Sequence, residues 1–517
     1  MITFLISILL LVAAYFTYGK FIEKHIGADY ARKTPAITMA DGVDYKELSP
    51  WRIFIIQFLN IAGLGPIFGA IMGAAYGPIA YLWIVFGCIF MGAVHDYLSG
   101  MLSIRNSGKS LSSIIGKYLG PNINRIMLIV LALLLLAVGA SFVNGPADLL
   151  KSLTGNTINI FNHDFDLFYI WLYIIFGYYI IATLLPIDKI IGKIYPYMGG
   201  ALLFMALSIG IMVIVNGISG DAKLIELTPE TFHNYKSNAS EYKLIPMLFI
   251  VISCGAISGF HGTQSPMMAR CLGNEKYGRK IFYGAMIAEG IVACIWATAA
   301  MALFNGPEGL NAAADGTLNN SGSMLSANGL LSSYEGVKMN PATIVDVICK
   351  SWLGKAGAII AIIGVVVCPI TSGDTAFRSL RLIFADAFKF SQKPIRNRLI
   401  ISIPIFVIAF IICNVDFSVI WTYVGIGNQL LAAVTLWACS VYFVISDKNH
   451  WLVSIPALFL TYICTCYFLI APNANGGLNL QPTFGYIFSG VVAAIIFALF
   501  VKFAIKIKSH RNKRLRQ

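Results

Sequence analysis

The chain has 517 residues, 58% of them hydrophobic and only 12% charged, with a net charge of +13 and a mean hydropathy of +0.76. Soluble domains carry about 25% charged residues, so a water-soluble globular protein is excluded and a polytopic membrane protein is the fitting class. The positive balance calls for no nucleic-acid partner, because it sits between apolar segments and in the tail from Lys502 to Arg516, where it faces anionic membrane lipid.

About thirteen apolar segments, each near the ~20 residues that cross a bilayer core, run at 2–19, 52–75, 79–103, 124–145, 166–185, 195–216, 244–262, 280–304, 342–373, 398–414, 417–444, 450–470 and 483–505. Met1 to Thr3 carries no positive side chain and no small-residue cleavage site follows, so the first segment reads as a retained span rather than a cleavable signal. The segments 20–52, 104–125, 186–195, 262–281, 378–398, 445–450 and 502–516 hold 30 of the 37 Lys and Arg. Cytoplasmic segments concentrate these residues. The N-terminus is therefore expected outside and the C-terminus in the cytoplasm, and an odd number of spans agrees. The ninth segment is long, and Lys350 and Lys355 put its first turns at the outer surface. Ten cysteines are scattered without a metal-ligand cluster and read as packed thiols, not disulfides. The outer loop 305–340 is rich in Gly, Asn, Ser and Ala and reads as mobile.

Two of these segments lose their apolar character in the middle. The first reads Gln57-Phe58-Leu59-Asn60-Ile61-Ala62-Gly63-Leu64-Gly65-Pro66 and the second Ser253-Cys254-Gly255-Ala256-Ile257-Ser258-Gly259-Phe260-His261-Gly262. Unpaired backbone is costly in lipid unless it is buried in protein or lines a cavity. Paired interrupted helices in two halves of a chain point to a transporter's binding site. Setting the first span aside, spans 2–6 and 7–11 form two groups of five with opposite starting sides. The expected fold is all-α: a LeuT-like 5+5 inverted repeat with one extra N-terminal and two extra C-terminal helices. The corresponding units are 1–50 (first span and cytoplasmic loop), 51–217, 244–445 and 446–517 (two helices and a basic tail).

Half-helix N-termini offer unpaired N–H groups to a carboxylate, and the freed carbonyls can hold a cation. The expected substrate cavity is lined by Gln57, Asn60, Gly63, Gly65, Ser253, Gly255, Ser258, Gly259 and His261, with Asn428 and Gln429 as further intramembrane polar groups. Gly69, Gly73 and Gly77 form a small-residue packing face, which is the structural alternative for the first break. Asp96, in a span beside His95, is costly and hence a functional candidate. It reads as a proton acceptor, or as a gate partner for Arg105, Arg378 or Arg381. His261 has a side chain that titrates near neutral pH, suited to proton coupling or substrate binding, and a capping role at the half-helix end is the alternative. Glu289 is a second carboxylate within a span. Asp374 is expected near the inner surface, paired with Arg378 one turn away. In LeuT-type proteins the eighth core helix faces the first and its hydroxyls help hold sodium. Span 9 is that helix here, so Thr371 and Ser372 are candidate sodium ligands.

Gly92-Ala93-Val94-His95-Asp96-Tyr97, Cys254 through His261, and Gly425-Ile426-Gly427-Asn428-Gln429-Leu430-Leu431-Ala432-Ala433 resemble, in order and spacing, segments of the carbon starvation protein A family. The resemblance covers roughly 50–445. It implies a bacterial cytoplasmic-membrane protein that takes up nutrients in starvation, as a peptide transporter or a pyruvate–proton symporter, with no cofactor. Protons are then the implied coupling ion, with sodium as the alternative. The run Gly262-Thr263-Gln264-Ser265-Pro266 departs from the family pattern, and Thr371-Ser372-Gly373-Asp374 matches it only in part. Three other classes compete: an intramembrane aspartyl protease using Asp96 and Asp374, a passive channel, and a nutrient sensor. The protease signature wants Gly-x-Gly-Asp, and Thr371 stands where the first Gly belongs.

Overall fold

The structure, a computed structural model, describes residues 1–42, 44–160, 163–184, 191–318, 336–392 and 394–516. Among these, ten helices are long and apolar enough to cross a membrane, or eleven if one bent pair counts as a span. They are α1 (Ile2–Ile26), the bent pair α2 (Pro50–Ile61) and α3 (Gly65–Ala74), α4 (Ala80–Arg105), α6 (Pro121–Thr154), α8 (Tyr195–Ser219), α11 (Glu275–Leu303), α13 (Gly357–Phe388), α14 (Ile395–Ile412), α15 (Phe417–Ile445), α16 (Trp451–Ile470) and α17 (Pro482–Ile507). Two of the thirteen expected segments fall outside that count. One is the shorter apolar helix α7 (Leu167–Leu184); the other is split into α9 (Leu244–Val251) and α10 (Gly259–Ala269), each half too short to span.

Smaller elements join them: α5 (Leu111–Leu119), α12 (Pro307–Asp315) and a hairpin of β1 (Thr157–Ile160) and β2 (His163–Asp166), paired antiparallel with Thr157 opposite Asp166. The hairpin is an exception to an all-helical reading. Of the outer loop 305–340, residues 307–315 are helical, and 319–335 lie outside the described residues. The helix that carries α13 starts at Pro341 and bends at Gly354 (φ 64°), a left-handed conformation that glycine adopts without strain. That bend separates the Lys350 turn from the spanning part.

Both Gly-rich segments are broken. The α2–α3 pair bends by 52°, with Ala62 leaving helical geometry at φ −77°, ψ 35°. Between α9 and α10, Ile252 (φ −95°, ψ 66°) and Ser258 (φ −137°, ψ 129°) mark the ends of the irregular stretch. Missing side chains let the breaks meet. A Cβ on Gly65 would overlap the Cys254 side chain, one on Gly92 would overlap the Ala256 carbonyl oxygen, and one on Gly255 would lie 2.6 Å from the Ala293 Cβ. The Gly69 and Gly73 face packs on Val251 and Ile252, so the small-residue face and the break serve one contact. α4 carries wide, π-type turns over Trp83–Gly92, which bring Gly92 onto the second break. α13 packs on α6 and α8, and α10 lies against α4, α15 and α2.

The start of α1 is tied to the segment after α8. The Glu226 carboxylate accepts hydrogen bonds from the Ile2 N–H (2.9 Å), the Thr3 N–H (2.7 Å) and the Thr3 hydroxyl (2.6 Å), and pairs with the Met1 ammonium. Partial burial works to raise its pKa, but these donors pull it down to about 2. The folded value lies below the ordinary glutamate range, so this tie is present above pH 4–5 and is lost only as pH falls toward 2.

The glycine contacts make a direct stability prediction. Gly92→Val forces a side chain into the Ala256 carbonyl and should cost roughly 1–3 kcal/mol or more. Gly177→Ala enters open space and should leave the thermal midpoint of the detergent-purified chain nearly unchanged. Equal midpoints for the two variants would contradict the close approach.

Candidate functional site at the paired helix breaks

A helix that stops inside protein leaves its last carbonyls unpaired, and here neighbouring helices answer them. Leu59 O accepts from the Ser372 hydroxyl at 2.9 Å and the Thr371 hydroxyl at 3.3 Å, and both hydroxyls also donate to Cys368 O, at 3.1 and 2.7 Å. Ala62 O accepts from the Cys368 thiol. At the second break, Ile252 O accepts from the Trp83 indole at 2.9 Å and Phe249 O from the Gln429 amide at 2.8 Å. Gln429 therefore holds α15 to α9. Trp83 and Cys368 are missed by sequence reasoning, because an indole or a thiol in an apolar span looks like packing.

Asp96 does not pair with an arginine, contrary to the gate reading. Its Oδ1 lies 2.8 Å from His95 Nδ1 and its Oδ2 lies 3.0 Å from His261 Nδ1; on the far side of that imidazole, His261 Nε2 stands 3.4 Å from Glu289 Oε2. All four side chains are fully buried. The arginines are engaged elsewhere: Arg105 with Glu275 (3.0 Å), Arg378 with Asp374 (3.9 Å) and Arg381 with Asp44 (3.9 Å). His261 caps no helix end with its ring; it bridges two carboxylates. Cys254 completes this cluster, since its sulfur, a ring nitrogen of His261 and a Glu289 oxygen all lie within 4.8 Å of one another. The expectation of no metal-ligand cluster is thus corrected. The three residues come from α11, α10 and the break before it, and no spacing rule could reveal them. All ten cysteines are free thiols, as expected.

Asp374 is not at a surface. It is fully buried and accepts from the Tyr195 hydroxyl at 2.9 Å. It belongs to a different hydrogen-bonded group from Asp96, so the two share no common partner of the kind an aspartyl dyad needs. Gln57, Asn60, Ser258, Asn428 and Gln429 are buried, as is Ser253. Among the described residues, both polar atoms of the Gln57 and Asn60 amides, Asn428 Oδ1 and Gln429 Oε1 have no hydrogen-bond partner. Buried amides without partners are rare and expensive. Three apolar cavities are lined by other residues, one of them by Trp83 and Phe249 beside the second break.

Side-chain contacts join the helices on either side of the break region. At one end the Arg105 guanidinium donates to Glu275 and to Ile26 O, Gly27 O and the Tyr442 hydroxyl, while Arg32 and the Asp29 N–H also reach Glu275. Leu48 N–H donates to Cys271 O at 3.1 Å. At the other end Asn311 donates to Ala75 O (2.7 Å) and Tyr235 O (3.0 Å), and Tyr235 lies over Gly77.

Removing one member of a buried ion pair is strongly destabilising, because the other is left uncompensated. Arg105→Ala should therefore loosen the Glu275 end and raise maleimide labelling of the buried Cys271 several-fold in intact membranes. Unchanged labelling would show that Arg105 does not hold that end shut.

Residues 1–165 and 149–467 match the family model described as carbon starvation protein CstA. The chain is 42% identical over 345 residues to an uncharacterized membrane protein of Haemophilus influenzae, an alignment covering 60% of this chain and 93% of that one. It is 24% identical over 568 residues to the peptide transporter CstA of Escherichia coli (89% of this chain, 79% of that one). It is 28% identical over 353 residues to the pyruvate/proton symporter BtsT of Escherichia coli (57% and 48%). The crystal structure of the Eremococcus coleocola manganese transporter superposes with a TM-score of 0.52 at 13% identity, covering 91% of this chain and 98% of that one; at that identity the likeness is one of fold.

Proposed function

The chain belongs to the carbon starvation protein CstA family, and from that premise we propose that it is a proton-coupled symporter importing a small carboxylate-bearing nutrient, a short peptide or pyruvate. The family and its relatives make it a multi-pass membrane transporter and not an enzyme. The observation that carries the coupling is the buried chain Asp96–His261–Glu289 at the second break. Two carboxylates sharing one imidazole in a low dielectric cannot stay unprotonated without a cation. Protons taken up at one face and released at the other supply that cation. The chain crosses from α4 through α10 to α11, so helix movement alters the contacts on both sides of His261.

In this reading the substrate carboxylate sits at the N-termini of α3 and α10, where N–H groups and the helix dipole favour an anion. The unpartnered amides of Gln57 and Asn60 supply further hydrogen bonds, and Gly63, Gly65, Gly255 and Gly259 let the ligand approach the backbone. The five-plus-five inverted repeat, thirteen spans, an outside N-terminus and the inner membrane belong to the same reading. The Arg105–Glu275 end is then the cytoplasmic gate, the Tyr235–Asn311 end is the outer one, and the structure is an occluded state.

Sodium is the second reading. The Thr371 and Ser372 hydroxyls and the Leu59 and Cys368 carbonyls converge between α13 and the first break, a set of neutral oxygens suited to a hard monovalent cation.

Proteoliposomes loaded with the full chain separate the two. Under proton coupling, an acid-outside gradient without sodium drives labelled pyruvate or tripeptide above equilibrium. Asp96→Asn and His261→Gln should then cut that accumulation at least tenfold while counterflow exchange persists. Under sodium coupling the pH gradient alone does little, and Ser372→Ala raises the sodium requirement. Uptake that never exceeds equilibrium under either gradient would sink symport.

A further inference from the structure

We infer that Cys254, His261 and Glu289 form a binding site for a thiophilic divalent cation of the zinc class, set into the second helix break. The three ligand atoms lie within 4.8 Å of one another and all three residues are buried. A tetrahedral zinc ion with bonds of about 2.0–2.3 Å holds its ligand atoms roughly 3.3–3.8 Å apart. The His261 Nε2 to Glu289 Oε2 distance, 3.4 Å, already has that value.

The atoms are available. His261 Nε2 and both Glu289 oxygens make no hydrogen bond among the described residues. Cys254 makes long contacts, 3.6 Å to the Ser258 hydroxyl and 3.8 Å from the Asn428 amide, and the Ser253 side chain is a further hydrogen-bond neighbour. The Asn428 amide, whose nitrogen lies 3.8 Å from the sulfur, has its Oδ1 buried without a partner among the described residues, and this amide or a water can supply the fourth ligand.

The surrounding groups suit a dication. Asp96 Oδ2 holds His261 Nδ1 at 3.0 Å, which turns Nε2 toward Glu289 and Cys254. A carboxylate–histidine–metal arrangement of this kind fixes the ring and raises its basicity. The two carboxylates, with the Cys254 thiolate formed when its proton leaves to solvent on metal entry, put three negative charges at the site, and a dication offsets two of them. The ligand set of one sulfur, one imidazole and one carboxylate selects zinc, cobalt or cadmium over magnesium or calcium, which demand oxygen. His261 and Glu289 also belong to the proposed proton path, so a bound dication arrests transport; metal retention itself is measured without transport.

The test uses the purified full chain with Co²⁺ as the spectroscopic probe. One Co²⁺ per chain should bind with a thiolate-to-cobalt charge-transfer band. Zn²⁺ should abolish the band, and Mg²⁺ or Ca²⁺ should not. Cys254→Ser should remove the band and Cys439→Ser, a buried thiol on α15, should keep it. Asp96→Asn should weaken binding about 10–100-fold. If Cys254→Ser does not yield a monodisperse protein, alkylation mapped by mass spectrometry on the unaltered chain decides: Zn²⁺ should slow modification of Cys254 and leave Cys439 unaffected. No charge-transfer band, a band surviving Cys254→Ser, or equal alkylation of Cys254 with and without Zn²⁺ would overturn the site. Metal binding by a chain that shows no gradient-driven uptake even when metal-free would instead overturn the coupling reading alone.

Discussion

The architecture depends on one constraint: backbone left without helical partners inside an apolar bundle must be answered by something other than water. Two helices stop mid-bundle, and their terminal carbonyls are met by side chains from α4, α13 and α15. Those hydrogen bonds decide which helices surround the breaks and how close they come. The glycines at 65, 92 and 255 let the segments around the breaks approach closely, since a Cβ at each would meet the Cys254 side chain, the Ala256 carbonyl or the Ala293 methyl.

The second consequence is electrostatic. Once helix packing closes around the breaks, Asp96 and Glu289 share His261 out of reach of water. A buried carboxylate pair is tolerable only while a cation accompanies it. In the proposed symport, the position of that cation is tied to which side of the bundle is open.

The ends of the bundle follow another logic. Arg105 reaches Glu275, the carbonyls at the end of α1 and the Tyr442 hydroxyl of α15. A planar guanidinium with several donors joins many elements at once. Such a contact is strong as a set and weak piece by piece, which suits the gate proposed for this end.

Composition and hydropathy by themselves determine that this is a helical membrane protein, and Gly-rich polar interruptions at 57–66 and 253–262 determine where its helices break. These features are local: a span must be apolar over its length, and an unwound turn needs residues that tolerate it. The involvement of His95, Asp96, His261 and Glu289 is legible too, because ionisable residues in apolar segments are conspicuous. Their partners are not. Sequence depth sets Asp96 opposite arginines, and only the packing of α10 between α4 and α15 delivers His261 instead. Asp374 looks superficial on a span diagram yet is buried beneath Tyr195. The helix carrying Tyr195 is separated from it by well over a hundred residues of chain, so no periodicity records the contact. Cys254, Trp83 and Cys368 look like apolar filling in one dimension. Tertiary structure alone aims their polar atoms at a broken backbone and a buried carboxylate, because the need for those atoms arises only when distant helices exclude water from the same place.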